Sequence, residues 1–304
     1  MIRALLTACL ALTATSMTVA QTSYIPHRVF DTGQWALFDF EGMLADLSRA
    51  DVVFLGEQHD DPNTHRLELA VLEGLTRRRA GDVVLSLEMF ERDTQANLDR
   101  FLAGELAEDA FLKDARPWPR YATDYKPLVD FARANRIPVI AANVPRPIAS
   151  EVSKGGVNVL ASKPEADRAL FASELRCPTD DEYFKRFGEA MGGHPAEGAD
   201  SVAARQMTER FYQAQCVKDE TMAESIAKAH AAAVAAGRKP LVIHVNGAFH
   251  SDFALGTASR VSRRLTNVKV LVVSVLPIAD MDQLAPTEED RRRGNYLVYT
   301  RKKD

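Results

Sequence analysis

Four short apolar runs of the chain each end in polar residues of types that can transfer protons or bind a metal. The sequence Gly-Glu-Gln-His follows the first run, a Glu the second, an Asn the third and Asn-Gly-Ala-Phe-His the fourth. Two neutral imidazoles and two carboxylates match a site for a divalent transition metal such as zinc, manganese or iron. Without a metal, Glu or His can act as a general base on water. The residues concerned are Glu57, His59, Glu88, Asn143, Asn246 and His250.

The runs themselves are typical of buried parallel strands, since they are short and rich in β-branched residues. We predict strands at residues 52–55, 83–87, 139–142, 241–245 and 268–275, with 296–300 as an added edge strand.

Helical patterns separate these runs, at residues 63–79, 93–102 and 125–134. Pro62 and Gly81 stand where the first helix would begin and end. The order β-α-β-α-α-β is that of a doubly wound, mostly parallel α/β sheet flanked by helices. Ligands bind such sheets at the carboxyl ends of the strands, so the polar residues are predicted to meet in one cleft there.

Residues 149–237 contain no convincing strand and end in a long helical pattern over residues 200–236. We predict that they are a helical insertion between the third and fourth main strands of one domain covering residues 21–304. Within the insertion, the glycine-rich segment 188–198 has the composition of a loop and carries His194. Such loops often lie over binding sites.

Residues 1–20 have the pattern of a secretory signal peptide: Arg3 is the single charge, an apolar run follows, and small residues end at Ala20. We therefore expect cleavage near Ala20 and export. Cys9 ends a lipobox-like Leu-Thr-Ala-Cys, but the apolar segment before it is short, so a lipid-anchored form is less favoured. Cys177 and Cys216 remain after cleavage, and the sequence leaves open whether they pair or stay as buried thiols.

Composition and missing motifs exclude several functions. The 42 acidic residues outnumber the 38 basic ones, and the net charge of -4 disfavours binding to nucleic acid. The absence of a Gly-x-Ser-x-Gly motif from the sequence argues against a serine hydrolase. Neither Gly-x-Gly-x-x-Gly nor a Walker sequence follows the first strand, which argues against nucleotide binding.

Residues 118–127 combine three aromatic side chains with two prolines and two basic residues. These aromatics could plug the edge of the core. Alternatively, they could form a partly exposed surface for a flat apolar ligand, where a tyrosine binds ferric iron and cations pair with carboxylates. The tyrosines are Tyr121 and Tyr125, and the nearby cations are Arg116, Arg120 and Lys126.

Five segments that include these residues resemble the ChaN-like family of haem-binding uptake proteins, which belongs with the Tiki proteases and more distantly resembles erythromycin esterases. They are residues 52–65, 85–102, 125–146, 215–226 and 241–256, and the segments EMFERDTQ and KDETMA are the more specific parts.

The resemblance implies an exported, periplasmic protein of bacterial haem or iron acquisition, with haem bound between two copies and outer-membrane uptake machinery as a partner. Tyrosine ligation of the iron is a family property, which makes Tyr121 and Tyr125 the candidate ligands. His194 is a candidate partner for them, and Arg120 and Lys126 are candidates for holding the haem.

The same resemblance supports an alternative, a metal-dependent hydrolase of the Tiki type. In that case Glu57, His59, Glu88 and His250 would bind the metal and carry out catalysis.

Overall fold

The structure is a computed structural model, and it describes residues 25–192 and 201–302. The predicted signal peptide and His194 lie outside the described residues. Within them, every helix is either too short or too polar to cross a lipid bilayer.

Eight strands form one sheet in the spatial order β2-β1-β8-β7-β3-β6-β4-β5. The six strands from β8 to β5 run parallel to one another, whereas β1 is antiparallel to both β8 and β2. The strands are β1 (His27–Asp31), β2 (Ala36–Phe38), β3 (Val52–Glu57), β4 (Val83–Glu91), β5 (Val139–Asn143), β6 (Leu241–Gly247), β7 (Val270–Ile278) and β8 (Tyr296–Arg301).

Helices cover both faces of the sheet. Helices α1 to α6 pack on one face through the larger hydrophobic core, and α10 and α11 pack on the other. The helices are α1 (Phe40–Leu47), α2 (Pro62–Arg78), α3 (Gln95–Leu102), α4 (Glu108–Ala115), α5 (Tyr121–Asp124), α6 (Lys126–Ala134), α7 (Arg146–Gly155), α8 (Glu165–Arg168), α9 (Glu182–Ala190), α10 (Ser201–Ala235), α11 (Gly256–Arg264) and α12 (Asp290–Arg293).

Helix α2 begins close to the end of β3 because the intervening sequence caps it. The Asp61 carboxylate accepts hydrogen bonds from the backbone N–H groups of Asn63 and Thr64, and Pro62 occupies the first turn. This cap directs the first turns of α2, which carry His65 and Glu68, against the end of β3.

The predicted fold class is confirmed: the sheet is mostly parallel and is flanked by helices. The insertion is also helical, since α7 to α10 occupy its described residues. Three details are corrected. Strands β1 and β2 were not predicted, and β8 is not at the edge because β1 pairs with its outer side. Helix α9 occupies the start of the predicted loop 188–198.

Cys177 and Cys216 form a disulfide, with their Cα atoms 5.7 Å apart. The bond joins the segment before α9 to the middle of α10. Of the two alternatives open from the sequence, the structure therefore has the paired form.

We expect the variant Cys177→Ala/Cys216→Ala to unfold with a free energy lower by about 3–4 kcal/mol, because closing a loop of this length restricts the unfolded chain. The two cysteines are 39 residues apart in sequence. Urea unfolding followed by circular dichroism measures the difference. Reductant should shift the wild-type midpoint but leave the double variant unchanged, and an unshifted wild-type midpoint would contradict the expectation.

Candidate functional site

The carboxyl ends of β3, β4 and β6 border an open cleft of about 630 Å³. It is lined by four of the six residues that the strand-end argument brings together, Glu57, His59, Glu88 and His250. A second open cavity of about 790 Å³ lies beside β7 and β8 and is lined by none of these four. The first cleft therefore carries the acid–base groups.

Glu88 and His250 form a buried ion pair at the floor of the cleft. Glu88 Oε1 lies 3.3 Å from His250 Nε2, and Glu88 Oε2 accepts the Gly247 backbone N–H at 2.8 Å. Burial alone would lower the pKa of His250, but Glu88 and Asp219 outweigh it and raise the pKa to about 10. Burial would raise the pKa of Glu88, but His250 holds it well below its usual range. The result is an imidazolium between carboxylates.

Asp219 is the second carboxylate, and α10 carries it into the interior. Its Oδ1 lies 2.7 Å from His250 Nδ1, and it accepts hydrogen bonds from Tyr183 Oη and Thr257 Oγ1, both at 2.8 Å. Gln215 Nε2 also lies 3.3 Å from the His250 ring nitrogens. None of these partners was predicted as a site residue, although Asp219 belongs to the segment KDETMA.

His59 lies at the mouth of the cleft, where 46% of its side chain is exposed. Its Nδ1 is 2.5 Å from Glu57 Oε1, and its ring packs edge-on against Trp118. Nε2 borders Gly247, where an added Cβ would lie only 2.7 Å away. Burial lowers the pKa of His59, but the hydrogen bond to Glu57 and the charge of Glu88 raise it overall. Glycine at position 247 therefore leaves room for the imidazole.

Behind the cleft floor, Glu57 also contacts two residues of α2 that sequence reasoning missed. His65 Nδ1 lies 3.5 Å from Glu57 Oε2 and 3.3 Å from Glu68 Oε2. Burial would lower the pKa of His65, but the two carboxylates raise it to about 11. Burial and the charge of Glu57 raise the pKa of Glu68 well above its usual range. A polar pair three residues apart on the apolar face of α2 was the available signal.

The two asparagines hold the strand ends and do not line the cleft. Asn143 Nδ2 donates to the carbonyl oxygen of Glu88 at 3.1 Å. Asn246 Nδ2 donates to the Gly247 carbonyl at 2.8 Å and to Ser251 Oγ at 3.0 Å. Both side chains therefore position backbone next to the site.

Of the two alternatives that the sequence leaves open for residues 118–127, the structure has the one in which the tyrosines pack into the core. Tyr121 and Tyr125 are 5% and 1% exposed, and burial raises the pKa of both phenols. Tyr125 Oη donates to Glu57 Oε1 at 2.7 Å, while the Tyr121 ring packs edge-on against Phe90. The aromatics plug the core because the α5–α6 segment folds over the helices and strands beneath it.

The three cations near these tyrosines are already paired with carboxylates. Such pairing reduces their availability to the carboxylates of a ligand. The ion pairs are Arg116 with Glu91 and Asp93 at 2.8 and 2.7 Å, Arg120 with Asp124 at 3.0 Å, and Lys126 with Glu108 and Asp130 at 2.8 and 3.1 Å.

A comparison with known protein families identifies the family of the chain. The profile described as "Haem-binding uptake, Tiki superfamily, ChaN" matches residues 43–261, which include every residue of the cleft's acid–base cluster. The chain belongs to this ChaN family.

One solved structure agrees with the fold of the ChaN family, and a second gives a weaker match. The chain is similar to ChaN of Campylobacter jejuni, solved with cofacially bound haem, with a TM-score of 0.65 and 16% identity over 90% of this chain and 97% of that one. A mutant erythromycin esterase in its open conformation matches with a TM-score of 0.45 and 11% identity, over 91% of this chain and 83% of that one.

A curated plant protein is also similar to this ChaN family member. Protein RETICULATA-RELATED 5, chloroplastic, of Arabidopsis thaliana is 25% identical over 243 residues, or 76% of this chain. The match spans 32% of the length of that plant protein.

In this ChaN family member, Asp219→Asn should lower the pKa of His250, because it removes one of the two carboxylates that stabilise the imidazolium. Since the folded pKa is raised to about 10, the protonated ring contributes stability that is present below pH 6.5 and is lost as the pH rises through 10. Breaking the pair should cost about 3 kcal/mol at pH 6. NMR titration of the His250 ring and urea unfolding measure the two effects.

The matched control for this prediction is Glu174→Gln, which removes an exposed carboxylate and should change neither quantity. An unchanged His250 titration in Asp219→Asn would show that Asp219 does not stabilise the imidazolium.

Proposed function

We propose that this protein binds haem in the strand-end cleft and serves bacterial haem or iron acquisition as an exported protein. The match to a haem-binding family over residues 43–261 carries the proposal. The likeness to the haem-bound Campylobacter protein supports it at the level of the fold.

The cleft has the features that a haem needs, namely an apolar wall, a free cation and a donor atom for iron. Its volume of about 630 Å³ suits a porphyrin, and Trp118, Phe249 and Phe253 contribute aromatic wall. Lys218 lines it as well, and none of the ion pairs found among the described residues involves its ammonium group. Lys218 is therefore a better candidate for a propionate than the paired cations predicted from the sequence.

Iron supplied with the haem needs a donor from the protein, and His59 is the best candidate within the described part of the chain. The six tyrosines described there are each at most 5% exposed, whereas His59 is exposed at the cleft mouth. Glu57 at His59 Nδ1 strengthens the imidazole as a donor, as outer carboxylates do for metal-bound histidines. Ligation through Nε2 would require the ring to turn away from Gly247.

The proposal includes export and assembly. The disulfide between Cys177 and Cys216 supports export, because such bonds persist in oxidising compartments. By analogy with cofacial binding in the Campylobacter protein, a second copy of this chain would cover the exposed haem face. Outer-membrane uptake machinery would then be the partner that delivers haem or receives it.

Titration of the purified protein with hemin should give a saturable shift of the Soret band. His59→Ala should weaken binding by about 10- to 100-fold and alter the spectrum, because it removes the iron donor. His27→Ala is the control, since His27 does not line the cleft, and it should bind hemin as the wild type does. No saturable Soret change at micromolar protein would refute haem binding, and equal affinity in His59→Ala would refute ligation by His59.

A second candidate function, hydrolysis, is favoured by the pairing of His59 with Glu57 beside the Glu88–His250 ion pair. Glu57 can hold the Nδ1 proton of His59, which leaves Nε2 to take a proton from water. The imidazolium of His250 lies within the same cluster and can stabilise developing negative charge.

For this second function, hydrolysis of the probe ester p-nitrophenyl acetate should be saturable and should increase as the pH rises through the pKa of His59, because the neutral ring is the base. His59→Ala should reduce kcat/KM by at least about 100-fold, while His27→Ala should not. Equal rates in wild type and His59→Ala would exclude His59 as a base.

A further inference from the structure

Glu57, His65 and Glu68 form a buried cluster behind the cleft floor, where α2 meets the end of β3. Glu57, His65 and Glu68 are only 2%, 4% and 1% exposed, respectively. One potential ligand atom from each lies within 4.8 Å of the other two. The cluster thus combines two carboxylates and one imidazole out of contact with bulk water.

The spacing of these atoms is that of ligands around a small metal ion. His65 Nδ1 lies 3.3 Å from Glu68 Oε2 and 3.5 Å from Glu57 Oε2. Charge-assisted hydrogen bonds are shorter, about 2.7–2.9 Å. Tetrahedral ligands about 2.0–2.2 Å from a zinc ion are separated by about 3.3–3.6 Å.

Two carboxylate oxygens of the cluster have no hydrogen-bond partner. They are Glu57 Oε2 and Glu68 Oε1, and both atoms are buried. Buried carboxylate oxygens are normally satisfied, since leaving one unpaired is costly. A metal ion between the two glutamates would satisfy both oxygens and would replace the proton on His65 Nδ1, which lies 3.5 Å from Glu57 Oε2.

The ligand side chains are hydrogen-bonded on the sides that face away from the centre of the cluster, as they are in metal sites. His65 Nε2 lies 3.5 Å from Asp124 Oδ2 and 3.3 Å from the His59 carbonyl oxygen, so its Nδ1 faces inward. Tyr125 Oη donates to Glu57 Oε1 at 2.7 Å, which leaves the other oxygen facing inward. Outer hydrogen bonds of this kind orient ligands in metalloproteins.

We propose that Glu57, His65 and Glu68 bind one divalent first-row metal ion, for which zinc is the reference and manganese the alternative. Imidazole and carboxylate ligands suit both ions. The ion enters from the cleft, because Glu57 lines both the cleft and the cluster. This site lies behind the proposed haem position and shares Glu57 with it, and Glu57 is also the one residue that it shares with the metal site predicted from the sequence.

The other three residues of that predicted site already have partners. Glu88 Oε2 accepts the Gly247 N–H, and His250 is held between Glu88 and Asp219. His59 is engaged through Nδ1 with Glu57. The unmatched atoms therefore point to α2 and not to the Glu88–His250 pair.

The test uses the purified full chain, stripped with a chelator, equilibrated with Zn²⁺ or Mn²⁺ and desalted before elemental analysis. We expect one ion per chain and a higher melting temperature. Glu68→Gln, which keeps the side-chain shape, and His65→Gln should each weaken binding by at least about tenfold. Glu88→Gln and His59→Ala are the matched controls and should retain one ion per chain.

Cobalt substitution gives a second readout that does not depend on comparing variants of different stability. Co²⁺-loaded wild type should show the intense visible bands of a low-symmetry, tetrahedral site, and circular dichroism checks the fold of each variant. Failure of folded wild type to retain Zn²⁺ or Mn²⁺ would overturn the proposal. Retention by folded Glu68→Gln with loss in Glu88→Gln would overturn it in favour of the sequence-predicted site.

Discussion

The architecture of the site depends on neutralising the carboxylates that β3, β4 and α10 carry into the protein interior. An unpaired buried charge costs several kcal/mol, so each carboxylate must meet a cation or several donors. Glu88 meets His250 and the Gly247 N–H, and Asp219 meets His250 from the opposite side. The neighbouring Glu220 is surrounded by arginines of α11. These pairs join the helical insertion to the sheet and fix the floor of the cleft.

Much of the fold and part of the site follow from sequence because parallel strands repeat a simple pattern. Each buried strand is a β-branched run, and its carboxyl end lies at the same edge as those of its neighbours. Glu57, Glu88 and His250 could therefore be assigned to one cleft without knowledge of any contact. Strands β1 and β2 were missed because they are short, with five and three residues, and β2 is largely exposed. The inner position of β8 depends on its pairing with β1.

The residues that sequence reasoning missed lie on helices and take their role from tertiary contacts. Asp219 lies 31 residues before His250 in the sequence and on a helix, not at a strand end. Helix α10 nevertheless places its carboxylate against the His250 ring. In the sequence, His65 and Glu68 look like ordinary positions of a helix, and their role depends on the packing of α2 against β3. The reverse error occurred for Tyr121 and Tyr125, because aromatic and basic composition is shared by ligand surfaces and by segments that cover a core. Exposure, which separates the two, is set by tertiary packing.

Glu57 links the proposed haem cleft to the proposed metal cluster, because its carboxylate contacts His59 in the cleft and His65 behind it. A substitution of Glu57 would therefore affect both the cleft and the buried cluster. Variants of His59 report on the cleft, and variants of Glu68 report on the cluster. We thus propose haem as the ligand of the cleft and a smaller cation as the ligand of the buried cluster behind it.

Anomalous diffraction at the iron edge, from crystals grown with hemin, tests the central claim most directly. If haem binds as proposed, an iron peak will lie inside the cleft bordered by β3, β4 and β6, within bonding distance of His59. An iron peak elsewhere on the protein, with the cleft empty of porphyrin density, would contradict it.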